Sequence, residues 1–267
     1  MLLNKTFVLQ ENTLYYKKYI KKGCDQWVTF VHGAGGSSAV WHKQLKYFKE
    51  HFNLLFVDLR GHGKSNDLLL PSNYNLNIAT QEIVDVLNQL KIKSSFFVGV
   101  SLGTILAAKI ATDFPEKVKK MVLCGAITKL TFRTNFLLQT AAFIKGFTPP
   151  ILLYQLFAYI IMPKQNHKES RLLFITEARK IRYSVFKKWL SLLPELKKAI
   201  NDFSELKINK PTLFISGEQD YLFVNHIKEF VNTRANCDLF TIPNSGHVAN
   251  NDKPKVFNKV SLNFLLQ

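Results

Sequence analysis

A serine flanked two residues away on each side by glycine, Gly99-Val100-Ser101-Leu102-Gly103, stands where an apolar run gives way to a helical pattern. A hydroxyl attacks a carbonyl only when a neighbouring base takes its proton. A sharp strand-to-helix turn lifts such an oxygen clear at the end of a sheet, and the glycines remove side chains that would collide there. The five residues alone also describe a plain turn with a helix-capping serine; the strand before and the helix after make the pattern more specific. Two further groups lie downstream. Gly217-Glu218-Gln219-Asp220 follows one apolar run, and Asn244-Ser245-Gly246-His247 follows the next. Taken singly, Asp220 reads as a loop carboxylate and His247 as a surface histidine. Together, in the order Ser, acid, His, they read as a nucleophile, base and orienting carboxylate for acyl transfer. Another glycine-rich turn, His32-Gly33-Ala34-Gly35-Gly36, can aim backbone N–H groups at a developing oxyanion. It lacks the Gly-x-Gly-x-x-Gly spacing of a phosphate cradle.

The chemistry requires elements that bring these distant positions to one edge. Continuous apolar runs at 27–32, 53–59, 95–100, 119–124, 211–216 and 237–242 suit strands buried on both faces of a parallel sheet. Helical patterns at 41–51, 78–90, 102–114, 224–231 and 254–266 alternate with them, which predicts an α/β architecture. Residues 6–10 and 13–20, separated by Glu11-Asn12, read as an N-terminal hairpin. Between 127 and 209 no strand is expected; helical periodicity recurs at 132–143, 152–161, 170–182 and 185–193. The expected organisation is a core of 1–127 and 208–267 interrupted by a helical lid over 128–207.

Composition narrows the classes. The chain has 267 residues, 47% hydrophobic and 21% charged, enough for one packed α/β domain with an insertion. Thirty-six Lys and Arg against nineteen Asp and Glu give a formal charge of +17. Such a field attracts anions, yet no nucleic-acid-binding module is legible. Cys24, Cys124 and Cys237 are scattered and odd in number, which argues against a disulfide framework or a zinc site and fits a reduced, cytoplasmic setting. The first residues do not resemble a signal peptide, and the apolar run 151–162 is about half a membrane span.

Five pieces, His32-Gly33-Ala34-Gly35-Gly36, Asp58-Leu59-Arg60-Gly61-His62-Gly63-Lys64-Ser65, Gly99-Val100-Ser101-Leu102-Gly103, Gly217-Glu218-Gln219-Asp220 and Gly246-His247, stand in the order found in the α/β-hydrolase superfamily, and the chain resembles its branch with a lid inserted after the sixth strand. The resemblance implies Ser101 as nucleophile, Asp220 as acid, His247 as base, and the Ala34 and Leu102 amides as the oxyanion hole, with no metal or organic cofactor. It places Asp220 ahead of the rival Glu218, assigns His32 and His62 to loop support, and packs Trp41 behind the glycine turn. Val100, Thr104 and Val224 depart from common family residues without removing a catalytic atom. Ser101 in place of an aspartate argues against dehalogenase and epoxide-hydrolase chemistry. The implied activity is hydrolysis of carboxylic esters of small to medium acyl chain; a carbon–carbon, lactone or thioester hydrolase, or a slow-turnover ligand sensor, are the alternatives. Phe132, Phe136, Phe143, Phe147, Tyr154, Phe157 and Tyr159 are candidates either for an acyl pocket or for the lid's own core. Lys187, Lys188, Lys197 and Lys198 add charge that suits anionic lipid or an acidic substrate. The expected partner is a small ester or acyl substrate, not nucleic acid.

Overall fold

The computed structural model describes residues 5–7, 13–144, 148–205 and 209–267. Its sheet runs β1 (Lys5–Phe7), β2 (Tyr16–Tyr19), β3 (Trp27–Val31), β4 (Asn53–Val57), β5 (Ser95–Val100), β6 (Val118–Cys124), β7 (Thr212–Gly217) and β8 (Cys237–Ile242). The spatial order is β1-β2-β4-β3-β5-β6-β7-β8. β1 and β2 form the antiparallel edge, and every pairing from β4 onward to β8 is parallel. The second hairpin strand is shorter than the 13–20 that the sequence pattern suggested, and residues 8–12, which include most of the expected first strand, lie outside the described ones.

The apolar runs are strands because both faces are covered. Leu54 and Phe56 join one core cluster and Leu55 and Val57 the other. The same alternation separates Phe96 and Val98 from Phe97, and Leu213 and Ile215 from Phe214. Successive strand side chains point to opposite faces, so a run that is apolar at every position needs helices on both sides. Those helices are α1 (His42–Phe48), α2 (Leu76–Gln89), α3 (Leu102–Asp113), and, beyond the insertion, α9 (Val224–Val231), α10 (Ala249–Asp252) and α11 (Pro254–Leu266). Asn75 caps α2 by accepting the Ile78 N–H at 3.0 Å. β8 departs from expectation: it is the sheet's far edge, Asp238 is exposed, and Phe240 is 38% exposed. An edge strand lacks a second neighbour, so its apolar composition does not guarantee double-sided cover.

Between β6 and β7 the chain makes α4 (Phe132–Ile144), α5 (Pro150–Ile161), α6 (Lys168–Ala178), α7 (Tyr183–Ser191) and α8 (Leu193–Glu205). The last helix was not anticipated. Pro194 reads as a helix stop, but it occupies the first turn of α8, where its missing N–H has no intrahelical partner to lose. Val185, Trp189, Leu192 and Phe203 bind α7 and α8 into the main core cluster. Ala158, Ile161, Met162 and Ile175 form a separate cluster where α5 meets α6. Among the described residues no helix is long and apolar enough to cross a membrane.

Candidate active site

β5 ends directly in the serine turn. Ser101 has φ 52° and ψ −118°, in a region that L-residues with a side chain rarely occupy. The turn is held by the Ser101 N–H donating to the Cys124 carbonyl at 3.0 Å and the Thr104 N–H donating to the Ser101 carbonyl at 2.9 Å. The flanking glycines are sterically required. A Cβ on Gly99 would lie 2.6 Å from the Gly103 carbonyl oxygen, and one on Gly103 would lie 2.1 Å from that of Val31. The helix can thus start against β3 and β5 only where no side chain stands.

Asp220 follows β7 and His247 follows β8, as expected, and both are buried. The His247 Nδ1–H donates to Asp220 Oδ2 at 2.9 Å. With its proton held there, the ring leaves Nε2 as an acceptor. Phe223 packs on the imidazole with ring centroids 5.2 Å apart. His247 and Ser101 line one cavity. Glu218 is exposed and its carboxylate accepts the Asn244 N–H at 3.2 Å, so it is directed to the turn before His247 and not to the ring.

Ala34 and Leu102 flank Ser101 in the wall of a second cavity. Among the described residues neither the Ala34 nor the Leu102 amide has a hydrogen-bond partner, while their neighbours are committed. The Gly36 N–H donates to the Gly33 carbonyl at 3.1 Å, and the Ser38 N–H to Asp58 Oδ1 at 2.6 Å. Two neutral histidines shape this loop. The Leu59 N–H donates to His32 Nε2 at 3.0 Å, so His32 Nδ1–H donates to the Gly33 carbonyl at 2.8 Å. The Gly35 N–H donates to His62 Nε2 at 3.2 Å, so His62 Nδ1–H donates to the Arg60 carbonyl at 3.1 Å. Trp41 is buried behind them against Phe30, centroids 5.1 Å apart.

Burial lowers the His32 pKa to about 4 and the His62 pKa to about 3 from 6.5. The folded loop therefore holds both rings neutral, while the unfolded chain protonates them below about 6.5. Their contribution is complete above that pH and declines as pH falls toward the folded values, by on the order of 3 kcal/mol per ring. Chemical-denaturation midpoints measured from neutral pH down to about pH 4 should fall steeply, and a His32→Asn, His62→Asn double variant should show a shallower slope over the same window.

Two cavities meet at Ser101. The larger, about 190 Å³, is walled by Leu102, Ile105, Ile127, Leu153, Trp189 and Ile200, with Lys197 at its rim. The smaller, about 50 Å³, is bounded by Val40, Ile161, Leu173, Phe174, Val248 and His247. Phe157, like Ala34 and Ser101, belongs to both walls. Of the aromatic candidates, Tyr154 and Phe157 line the larger cavity. Phe132, Phe136 and Phe143 do not: they are 85%, 61% and 80% exposed, as is Tyr159 at 57%. α4 mixes apolar residues with Arg133, Asn135 and Gln139 and gathers neither kind on one face, and among its described residues Leu138 is the one that lines the larger cavity. Phe147 lies outside the described residues.

Several supporting residues carry no local sequence signal. Asp252 accepts the Gly246 N–H at 2.8 Å and the Ser170 hydroxyl. Glu177 accepts the Ser37 hydroxyl at 2.6 Å. His167, buried against Gly246, pairs through Nε2 with Gln219 Oε1 at 2.9 Å. Each links the insertion to the acid, base or glycine loop. Cys124, behind the site, is a buried thiol whose pKa is pushed up to about 12, which keeps it protonated and unreactive.

The family model for the alpha/beta hydrolase fold matches residues 26–254. The chain is 24% identical to an (E)-2-((N-methylformamido)methylene)succinate hydrolase of Acinetobacter baylyi over about half of each protein, 49% of this chain and 48% of that one. It is 25% identical to a putative esterase/lipase of Haemophilus influenzae over 84% of this chain and 78% of the other. Its fold superposes on the enol-lactonase of Burkholderia xenovorans with a TM-score of 0.80 at 18% identity, covering 95% and 96% of the two chains. A parallel sheet that delivers a strained serine, an Asp-paired histidine and a glycine loop to one edge, matched over this span, makes the chain a member of the alpha/beta hydrolase fold family.

Proposed function

We propose that the protein hydrolyses carboxylic esters of small to medium acyl chain, through an acyl-enzyme on Ser101. The observation that carries the reading is the His247 Nδ1–Asp220 pair at 2.9 Å, which leaves Nε2 to serve a serine hydroxyl facing the same cavity. In this reading His247 takes the Ser101 proton as the hydroxyl attacks, the Ala34 and Leu102 amides hold the oxyanion, and His247 then protonates the departing alcohol. Water follows the same route to release the acid. The insertion, residues 128–207, acts as the cover of the site.

The two cavities give the halves of the substrate different room. The leaving alcohol receives its proton from His247 and therefore belongs on that ring's side, in the cavity of about 50 Å³. The acyl chain takes the apolar cavity of about 190 Å³. Burying a methylene contributes roughly 0.8 kcal/mol, or about fourfold. Along a series of methyl esters of rising acyl length, kcat/KM should therefore climb by about that factor per carbon until the cavity is filled. Along acetates of rising alcohol length it should fall. The reverse pattern, followed by titration of released acid, would contradict the assignment of the cavities. Rapid labelling by a fluorophosphonate with no ester turnover would move the reading to carbon–carbon, lactone or thioester cleavage, or to a sensor.

A further inference from the structure

The larger cavity has one feature that an ordinary acyl pocket does not need. Among the described residues its walls are apolar apart from Ser101, Tyr154 and, at the rim, Lys197, the single charged one. Lys197 also borders an outer vestibule of about 460 Å³, which shares Leu138, Leu190 and Leu193 with the inner cavity and adds Gln139 and Ser191. The route from Ser101 thus runs through hydrocarbon between α4, α7 and α8 and turns polar and cationic where Lys197 stands. Of the other lysines of α7 and α8, Lys187 lies 4.4 Å over the Tyr183 ring, Lys188 donates to the Ser72 carbonyl at 2.5 Å, and Lys198 is exposed and lines neither space. Glu195, two residues before Lys197, spends its carboxylate on the Leu76 N–H at 3.0 Å. Among the described residues Lys197 has no hydrogen bond or ion pair, and it is half-buried.

We propose that Lys197 reads an oxyanion at the far end of the acyl chain, so that the favoured substrate is an ester whose acid half ends in a carboxylate or a phosphate. The inference rests on the ester-hydrolase reading above and adds the substrate class. A cation at the boundary of an apolar channel keeps most of its hydration while empty, and it meets an anion there in a less screened setting than on open surface. A purely structural lysine would instead use its methylene stem to cover the wall and leave the ammonium in water. Lys197→Met keeps the stem and removes the charge, and so separates the two roles.

The test compares monomethyl alkanedioates, methyl esters of ω-phosphorylated alkanoic acids, and neutral methyl alkanoates of matched length. The readout is the ratio of kcat/KM for anionic over neutral substrate. In the unmodified protein the anionic ester should be favoured by about threefold to fivefold, with the larger ratio of the two anionic series identifying the terminus. The preference should shrink with added salt, persist in Lys197→Arg and vanish in Lys197→Met. An equal ratio in the unmodified protein and Lys197→Met, or a preference for the neutral ester, would overturn the proposal. A second arm does not depend on turnover. Ser101→Ala, with and without Lys197→Met, is titrated with monoamides of alkanedioic acids and their neutral diamides, read by fluorescence of Trp189 in the cavity wall. Tighter binding of the anion that is lost with Lys197 upholds the proposal even if no ester is hydrolysed, an outcome that would defeat the ester reading alone. Equal affinity for anion and neutral ligand would defeat the proposal.

Discussion

Ser101→Ala is expected to lower kcat for ester hydrolysis by about six orders of magnitude, to the level left by the amide donors and binding alone. In the proposed route this hydroxyl forms the covalent intermediate, and among the described residues no other nucleophile is free to replace it: Ser170, which also lines the smaller cavity, donates its hydroxyl to Asp252, and Cys124 is buried and protonated. His247→Ala should cost a similar factor, because the histidine and the serine act as one unit. The double variant should therefore fall no further than either single one. The fold should persist in Ser101→Ala, since the turn is held by backbone hydrogen bonds to Cys124 and Thr104 and not by the serine oxygen. Circular dichroism and the thermal midpoint separate loss of chemistry from loss of structure. Substantial ester turnover in a folded Ser101→Ala protein would exclude the acyl-enzyme route.

The second largest effect is expected at Asp220. Asp220→Asn should reduce kcat by about 10³- to 10⁴-fold with little change in fold, because an amide can offer its NH₂ to His247 Nδ1 and so drive the ring proton to Nε2. The base would then face the serine with a donor where an acceptor is needed. Glu218→Gln provides the contrast. Its carboxylate accepts the Asn244 N–H at 3.2 Å and is exposed, and glutamine retains an acceptor oxygen for that bond. Activity should stay within about twofold, since exposed hydrogen bonds and charges contribute little. If Glu218→Gln were the crippling change and Asp220→Asn the mild one, the acid would be misassigned.

The contrast between these two carboxylates shows what the sequence could and could not reveal. The apolar run 211–216 pointed to both carboxylates, because sheet strands deliver such positions to one edge; the family resemblance put Asp220 first, and it is Asp220 that pairs with His247. The sheet itself was legible for the same reason: runs such as 53–57 and 95–100 are apolar at every position, and only double-sided burial accounts for that. The direction of a side chain across a helix was not legible. α4 has no single apolar face, its Phe and Leu residues being interleaved with Arg133, Asn135 and Gln139, so a helical pattern alone could not tell Phe132, Phe136 and Phe143 from Leu138. Pro194 concealed α8, and with it the wall that carries Leu196, Lys197 and Ile200. The links from Asp252 to Gly246, from Glu177 to Ser37 and from His167 to Gln219 join the insertion or the chain's last helices to the catalytic loops. Contacts of that range depend on the docked arrangement of the insertion, which leaves no local pattern. Lys197 looked like one of four equivalent lysines until the partners of Lys187 and Lys188, the exposure of Lys198 and the course of the cavity set it apart.

The convergence of Ser101, His247 and Asp220 is tested most directly by reacting the protein with a fluorophosphonate and locating the adduct by peptide mass spectrometry. A single adduct on Ser101, formed rapidly and slowed at least a hundredfold, about 3 kcal/mol, in His247→Ala, is the expected result. Labelling that falls on another residue, or that proceeds on Ser101 at an unchanged rate without the histidine, would contradict it.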